Sequence, residues 1–578
     1  MSALASRLAN LNPFKEEDSD DEGIGEEIDS DTIAGGGHGA RRTDVTRNQL
    51  RVSHALRSYL VHAGVTSEEE VGLDDPNAHT ETLQALLVKP HISVPPSVTD
   101  RSHTLPEYFI SSSHNTYLHA NQLFGKSSAT SYETVLRAGS RCIEIDAWDD
   151  DDHKDEPKVT HGYTLVSHIS LRAVCEAIRV VVDEEAAQEV NAQGYRAAPI
   201  LVSLENHCDA HGQMRIVQIM KEVLGNRLIS EDVREKGHRE QQGTDDHVRL
   251  SELGSKVAVI VEYHLPKDDA DEASSNSDES EYEKEEGNAS HKTYKEKKKS
   301  TSGGAIIPEL AALGVYAQSV KPHNKSWYDP GVLKNGPHHH LINVSESGLG
   351  SKMPANSSLI ARHNAHHLMR VFPKGTRISS RNLRPATFWA VGAQICALNW
   401  QTFESGMQLN EAMFSGTDGY VLKPAALRPG GEHLTGLRRR RLRLHVAGAT
   451  DVPLTGDVDE ARPYLTCTLG RAGGGRTKRK TQAYKHHKLG FLHRGENPPA
   501  SDPVWDEVLE WEFDDDELVF LRMLIKNDVS FARNPVFTIA AVRLLYVVPG
   551  WRFIRMLDLK GRETKCSVLV KFEIEDLE

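Results

Sequence analysis

Two acidic residues two positions apart, Glu144 and Asp146, sit in the run CIEIDAWD (142–149). If that run is a strand, both side chains leave the same face. Two carboxylates 4 Å apart repel by about 4 kcal/mol at an effective dielectric near 20. An exposed edge strand would tolerate the pair, but a cation between them explains it more easily. Three further stretches end apolar runs with reactive side chains. SSSHNTYL (111–118) offers His114 and Asn115, HGYTL (161–165) offers His161, and SLENHC (203–208) offers Glu205. Taken singly, a histidine after a strand is more often structural than catalytic. Taken together, Asn115, Glu144, Asp146 and Glu205 are hard oxygen donors, which suit calcium rather than zinc or copper. With His114 and His161 flanking a divalent ion, they make a set for phosphoryl transfer. The pattern by itself does not name a substrate.

These side chains meet only if the fold gathers them. In a parallel barrel, residues at the C-terminal ends of the strands converge on one mouth. From about 107 to 265, short apolar runs (YFI, RCIEIDAW, ILVSLE, KVAVIVEY) alternate with helix-like stretches such as SYETVLRAG and LRAVCEAIRVVVDEEA. That alternation predicts βα units around a parallel sheet. The texture resumes near 305 and ends at GYVLKP (419–424). Between the halves, residues 267–302 are acidic and then basic, with the low complexity of a disordered insertion. From 437 to 578, runs such as LRLHVAGA, DEVLEWEF and KCSVLVKFEI alternate like half-buried strands, which predicts an antiparallel sandwich. Residues 46–105 hold one helix-like stretch, LRVSHALRSYLVHAGV, and then an irregular connector.

The 578 residues carry a net charge of −15, but the charge is local. Residues 15–31 carry −9, residues 267–286 carry −8 and residues 292–299 carry +4, leaving about −2 for all the rest. A generally acidic, nucleic-acid-mimicking protein is therefore excluded, and no nucleic-acid partner is expected. Residues 1–45 have too few apolar groups to offset the entropy of ordering and are expected to be a disordered acidic tail. No apolar run nears the roughly 18 residues of a membrane span, and the first residues lack the apolar core of a secretion signal. The six cysteines are far apart with no CxxC, as expected of free thiols in a reducing cytoplasm.

The motifs resemble those of eukaryotic phosphoinositide-specific phospholipases C of the small, delta-like type. SSSHNTYL, RCIEIDAWD, HGYTL and VSLENHC resemble the X box. ARHN (361–364), MRVFPKGTR (369–377), QICALNWQT (394–402) and GYVLKPAALR (419–428) resemble the Y box. The resemblance covers roughly 106–578 and leaves no room for an amino-terminal pleckstrin-homology domain. It implies a multidomain chain: an α/β TIM-like barrel split by a disordered linker, followed by an all-β C2-type sandwich. Its segments are an EF-hand remnant or connector at 46–105, the X half at 106–266, the X–Y linker at 267–302, the Y half at 303–430 and the C2 domain at 437–578. It also implies a calcium-dependent phosphoric diester hydrolase. Asn115, Glu144, Asp146 and Glu205 match the family's calcium ligands, with Glu144 also accepting the proton of the inositol 2-hydroxyl. His161 matches the general acid and His114 the residue that stabilises the transition state.

Arg370, Phe372 and Asn343 stand at the family's headgroup contacts, where Phe372 replaces a usual Tyr and Asn343 a Ser. The family's two phosphate-binding lysines align with Ile260 and Glu262, a departure that puts preference for the bisphosphorylated lipid in question. Leu123, Phe124, Tyr163 and Leu165 align with the apolar rim that dips into a bilayer. The excess of ten bases over acids in 437–494 offers a basic face to an anionic membrane. The resulting expectation is a cytoplasmic monomer recruited to membranes. The competing reading is a catalytically weak membrane-docking scaffold. Histidines 338–340, 363, 366 and 367 lack a metal-ligand spacing and read as loop residues.

Overall fold

The computed structural model describes residues 21, 23–26, 49–75, 78–119, 126–160, 167–234, 247–264, 306–322, 326–329, 332–333, 336–374, 377, 380–433, 437–454, 460–487, 497–528 and 535–577. The expected X–Y linker at 267–302 lies outside them. So does most of the acidic tail, but not all of it. Residues 21 and 23–26 dock in the interface between the two large domains, which the composition of 1–45 did not suggest. The Asp21 carboxylate pairs with Lys478 at 2.8 Å and with Lys526, Ile24 is buried, and the Glu26 amide donates to Leu559 O at 2.8 Å.

Two helices follow, α1 (His54–His62) and α2 (Glu81–Val88). Ser53 and Thr80 cap them through their hydroxyls. Arg57 is fully buried and donates to the carbonyls of Val71, Gly72 and Asp75, which closes the loop between the helices. Leu56, Leu60 and Leu83 pack on Ala447, Phe553 and Leu569 of the C-terminal sandwich. The segment expected as an EF-hand remnant or connector thus serves as packing for the sandwich.

Eight parallel strands close a barrel: β1 (Tyr108–Ile110), β2 (Cys142–Trp148), β3 (Ile200–Asn206), β4 (Val257–Tyr263), β5 (Gln318–Val320), β6 (His340–Ser345), β7 (Leu368–Phe372) and β8 (Ile395–Cys396). They neighbour one another in chain order. The ring closes where β8 pairs with β1 at Ile110 and Ile395 and where Ser112 bridges to Cys142. Side chains alternate across each strand. Cys142, Leu201, Ala258, Ile260, Leu341, Leu368 and Ile395 fill the inside. Ile143, Val202, Val259, Ile342 and Met369 face outward onto helices α3 (Thr130–Arg137), α4 (Leu171–Ala186), α5 (Ala210–Leu224), α6 (Glu346–His366) and α7 (Ser405–Phe414). A short strand, Tyr420–Leu422, runs antiparallel beside β1. Gly419 leads into it with φ +84°, and a Cβ there would lie 2.5 Å from Gly139 O, so this entry needs glycine.

The C-terminal unit is a single eight-stranded antiparallel sheet folded as a C2-type sandwich. Its strands are β9 (Arg438–Thr450), β10 (Pro463–Arg471), β11 (Arg476–Lys480), β12 (Val504–Asp515), β13 (Val519–Asn527), β14 (Val536–Arg543), β15 (Gly550–Leu557) and β16 (Glu563–Asp576). The arginine run of β9 does not form the free basic face expected of it. Arg439, Arg440, Arg441 and Arg443 pair with Glu510, Glu512, Asp514, Asp515 and Glu575 on the flanking strands β12 and β16. Those acids sit directly opposite in the antiparallel register, so cross-strand pairing consumes the charge. The two domains share apolar packing: α7 lies on β14, and Arg543 is buried where Tyr546 Oη donates to Met413 O at 3.0 Å.

The closed end of the barrel hangs on one amide. Gln394 is fully buried, its Nε2 lies 2.7–2.9 Å from the carbonyls of Pro106, Asn364 and His367, and its Oε1 accepts from the Met369 amide at 2.8 Å. Each buried partner left unmade costs about 1–3 kcal/mol. Gln394→Ala is therefore expected to lower the thermal midpoint of barrel unfolding by several degrees. A midpoint equal to the parent's would show that these bonds do not hold the barrel end.

Candidate functional site

The site is set by strand register. On β2, Glu144 lies level with Ser203 of β3, and Asp146 with Glu205. All sit two or four residues above inward-facing Cys142 and Leu201, so alternation turns them into the mouth. Glu144 and Asp146 are almost wholly buried, and Glu205 is partly open. One carboxylate oxygen from each lies within 4.8 Å of the others. The expected shared face of Glu144 and Asp146 is present, and it is an inner face rather than an exposed edge.

Three groups hold this acidic cluster. Arg370 of β7 is 1% exposed and pairs with Glu144 through Nη2. Its Nη1 lies 3.7 Å from Glu205 and donates to Asn343 Oδ1 at 3.1 Å. Asn115 adopts φ 45°, a left-handed conformation that asparagine tolerates. That turn aims its amide at Glu144 Oε2, 2.7 Å away. Tyr117 Oη donates to Asp146 Oδ2 at 2.7 Å and lies 3.1 Å from Asn115 Oδ1. Among the described residues, Asp146 Oδ1 is buried with no hydrogen-bond partner.

The electrostatics divide the three carboxyls. Burial alone would raise Glu144, but Arg370 and then His114 outweigh it and hold the group down at about 2. Burial raises Asp146 and Glu205 well above the usual carboxylate range, and the charge of Glu144 raises both further. One arginine thus matches one carboxylate and leaves two others short of positive charge. Hard oxygen donors, a buried oxygen without a partner and this uncompensated acidity fit a divalent cation of the calcium type.

His114 sits at the end of β1. Its Nδ1 lies 2.8 Å from Asn399 Oδ1. The Asn399 side-chain amide faces the Arg381 carbonyl at 3.4 Å, which orients the oxygen toward the histidine. His114 therefore carries its proton on Nδ1 and turns Nε2 free for a ligand. Burial lowers the His114 pKa, with Arg370 adding to the effect. Asn399, Tyr117 and the Thr116 hydroxyl that receives the Glu144 amide were not picked out from the sequence, although all three lie inside the quoted motifs.

Other expected residues are placed differently. Arg370 pairs with Glu144 at the mouth, while Phe372 stands two residues beyond it with the guanidinium 5.8 Å from its ring centre. Asn343 is exposed, with its oxygen engaged by Arg370. Ile260 is level with Ser203, and Glu262 with Ser319, so both face the barrel interior or mouth. His161, Leu123, Phe124, Tyr163 and Leu165 lie outside the described residues. In the sandwich, the Asp528 backbone amide donates to Arg462 O at 3.0 Å.

Comparison with known proteins bears on the same strands. Residues 101–263 match the phosphatidylinositol-specific phospholipase C X domain, and residues 310–426 match its Y domain. The chain belongs to the phosphatidylinositol-specific phospholipase C family. It is 29% identical over 502 residues to 1-phosphatidylinositol 4,5-bisphosphate phosphodiesterase delta-4 of Xenopus laevis, covering 82% of this chain and 61% of that one. It is 33% identical over 552 residues to 1-phosphatidylinositol 4,5-bisphosphate phosphodiesterase 1 of Candida albicans, covering 82% and 48%. The chain thus spans between about half and three fifths of the length of these relatives. The crystal structure of L. pealei PLC21 superposes with a TM-score of 0.67 at 22% identity, covering 94% of this chain and 65% of that one. At that identity the superposition speaks for the fold. The phospholipase C barrel and the sandwich are both within it.

The His114–Asn399 bond has a spectroscopic consequence. Asn399→Leu removes the acceptor, and the 15N shifts of the His114 ring are expected to leave the Nδ1-protonated pattern. Unchanged shifts would mean that another group fixes the tautomer.

Proposed function

We propose that this chain hydrolyses phosphoinositides to diacylglycerol and inositol phosphates in a calcium-dependent reaction through a cyclic phosphodiester. One observation carries the reading: in a chain with X and Y domains, Glu144, Asp146 and Glu205 converge beside His114, and an Asp146 oxygen lies buried and unpartnered. Asn115, Glu144, Asp146 and Glu205 would hold the calcium. When bound, the ion supplies charge that neutralises the scissile phosphate and acidifies the inositol 2-hydroxyl.

The chain's own groups carry the protons. Glu144, ionised because Arg370 is beside it, accepts the 2-hydroxyl proton as that oxygen attacks phosphorus. His161 protonates the departing diacylglycerol oxygen. His114, held through Nδ1 by Asn399, presents Nε2 to the pentacoordinate phosphorane. To donate there it must be an imidazolium, which the phosphodiester anion stabilises. Water then opens the cyclic ester with the acid and base exchanging roles.

The substrate sits in a membrane, so the enzyme works as a peripheral, cytoplasmic protein at an anionic surface, acting as a monomer. Six buried, unpaired cysteines suit a reducing compartment. Among the described residues no helix is long and apolar enough to cross a membrane.

Hydrolysis of inositol phospholipid vesicles with buffered calcium tests the reading. His161→Ala is expected to lose about 10²–10⁴-fold in turnover, the usual share of a placed general acid, with vesicle binding kept. Glu205→Gln is expected to move the calcium midpoint to higher concentration. Wild-type hydrolysis that ignores calcium would overturn the calcium dependence, and none at any calcium level would leave the scaffold reading in its place.

The inward-facing Ile260 and Glu262 predict weak headgroup selectivity. A charge-assisted bond to a ring phosphate is worth about 1.5–3 kcal/mol, or roughly 10- to 100-fold. Converting both residues to lysine is expected to raise the ratio of bisphosphate to unphosphorylated lipid hydrolysed by at least tenfold. No change would assign headgroup reading to other cations.

A further inference from the structure

The histidines that read as loop residues come together with His247 at the closed end of the barrel, opposite the mouth. His247 precedes β4, His338 to His340 lead into β6, and His363, His366 and His367 lie where α6 passes to β7. His247 and His338 stack with ring centres 4.2 Å apart, and His247 Nδ1 lies 3.4 Å from His339 Nδ1. One ring nitrogen from each of His247, His338 and His339 lies within 4.8 Å of the others. A cavity of about 10 Å³, enough for about one water or ion, is lined by His247, His339, His340, His366 and His367.

A 3.4 Å gap between two imidazole nitrogens is also the edge of a tetrahedron around zinc. With Zn–N bonds of about 2.0–2.1 Å, that edge is about 3.3–3.4 Å. Stacked rings share no common focus, so the His338 ring must rotate for its nitrogen to join the other two.

Proton bookkeeping in the adjoining pair gives a second, independent indication. His340 Nδ1 faces the Pro337 carbonyl at 3.2 Å, and His363 Nδ1 faces Asn364 Oδ1 at 3.0 Å. The Asn364 Nδ2 donates to Val391 O at 2.9 Å, which fixes that oxygen's position. Both oxygens only accept, so both histidines carry their proton on Nδ1. Their Nε2 lone pairs then face each other at 3.0 Å. Two lone pairs at that distance need a cation between them, either a proton or a metal. An imidazole whose other nitrogen donates to a carbonyl is the arrangement found around bound metals. The His367 Nδ1 is a further buried nitrogen without a hydrogen-bond partner. Arg234, which reaches the His247 carbonyl, is already matched by Glu252.

We propose that the closed end of the barrel binds a borderline divalent transition ion such as Zn²⁺, with His247, His338 and His339 as ligands and the His340–His363 pair beside them. The donor set is all nitrogen, whereas the mouth is all oxygen, so the two ends of the barrel select different ions. The site would tie the segment before β4 to the entries of β6 and β7, a structural role that stands apart from hydrolysis.

The test is Zn²⁺ titration of the untagged, full-length, metal-stripped protein in excess Ca²⁺. The expected result is at least one Zn²⁺ per chain with sub-micromolar affinity, together with a rise in the thermal midpoint. His247→Ala with His339→Gln is expected to weaken binding at least tenfold, while Glu205→Gln at the mouth leaves it unchanged. Should the histidine variants misfold, Co²⁺ added to the wild type is expected to give the visible band of a nitrogen-ligated tetrahedral ion. No Zn²⁺ retained, no Co²⁺ band, or loss of binding in Glu205→Gln but not in the histidine variants would overturn the proposal.

Discussion

The pairing of Arg370 with Glu144 is the interaction on which the site turns. Three carboxyls lie on two neighbouring parallel strands with their oxygens within 4.8 Å. Bringing like charges this close costs several kcal/mol at any plausible interior dielectric, and one guanidinium offsets only part of it. Glu144 stays ionised, while Asp146 and Glu205 are pushed toward the neutral form. A divalent cation, as proposed, would complete the balance. The cluster is costly to the empty protein and would serve a loaded one, as expected where function rather than stability sets the residues.

The barrel makes that arrangement unavoidable. In-register parallel strands place Glu144 beside Ser203 and Asp146 beside Glu205, and the next strands bring Ile260, Glu262, Asn343 and Arg370 around the same mouth. Because the interior below is filled by Cys142, Leu201, Ala258, Leu341 and Ile395, the polar layer cannot sink. The Y half supplies the parts that discipline the X half: Arg370 sets the charge of Glu144 and Asn399 the tautomer of His114. The two matched domains are one site in two pieces.

Much of this was legible in the residues. Alternating apolar runs gave the strands to within a residue or two, as CIEIDAW and ILVSLE show, because an inward-and-outward code is local. The co-facing of Glu144 and Asp146 followed from the period of two. What was not legible depended on partners distant in sequence. The arginines of β9 look like a free basic face until acids from β12 and β16 lie opposite them. Arg370 aligns with a headgroup contact, but its pairing with Glu144, 226 residues away, appears only once the ring closes. The histidines at 247, 338–340, 363, 366 and 367 have no shared spacing, and only the closed end of the barrel brings them together.

The central claim is that the mouth is a cation site built by Glu144, Asp146, Glu205 and Asn115. A crystal structure of the full chain grown with calcium measures it directly. The account predicts an ion at the barrel mouth with oxygens of Glu144, Asp146 and Glu205 at about 2.3–2.6 Å. A mouth that holds only water at millimolar calcium, with Arg370 still the sole cation on Glu144, would contradict it.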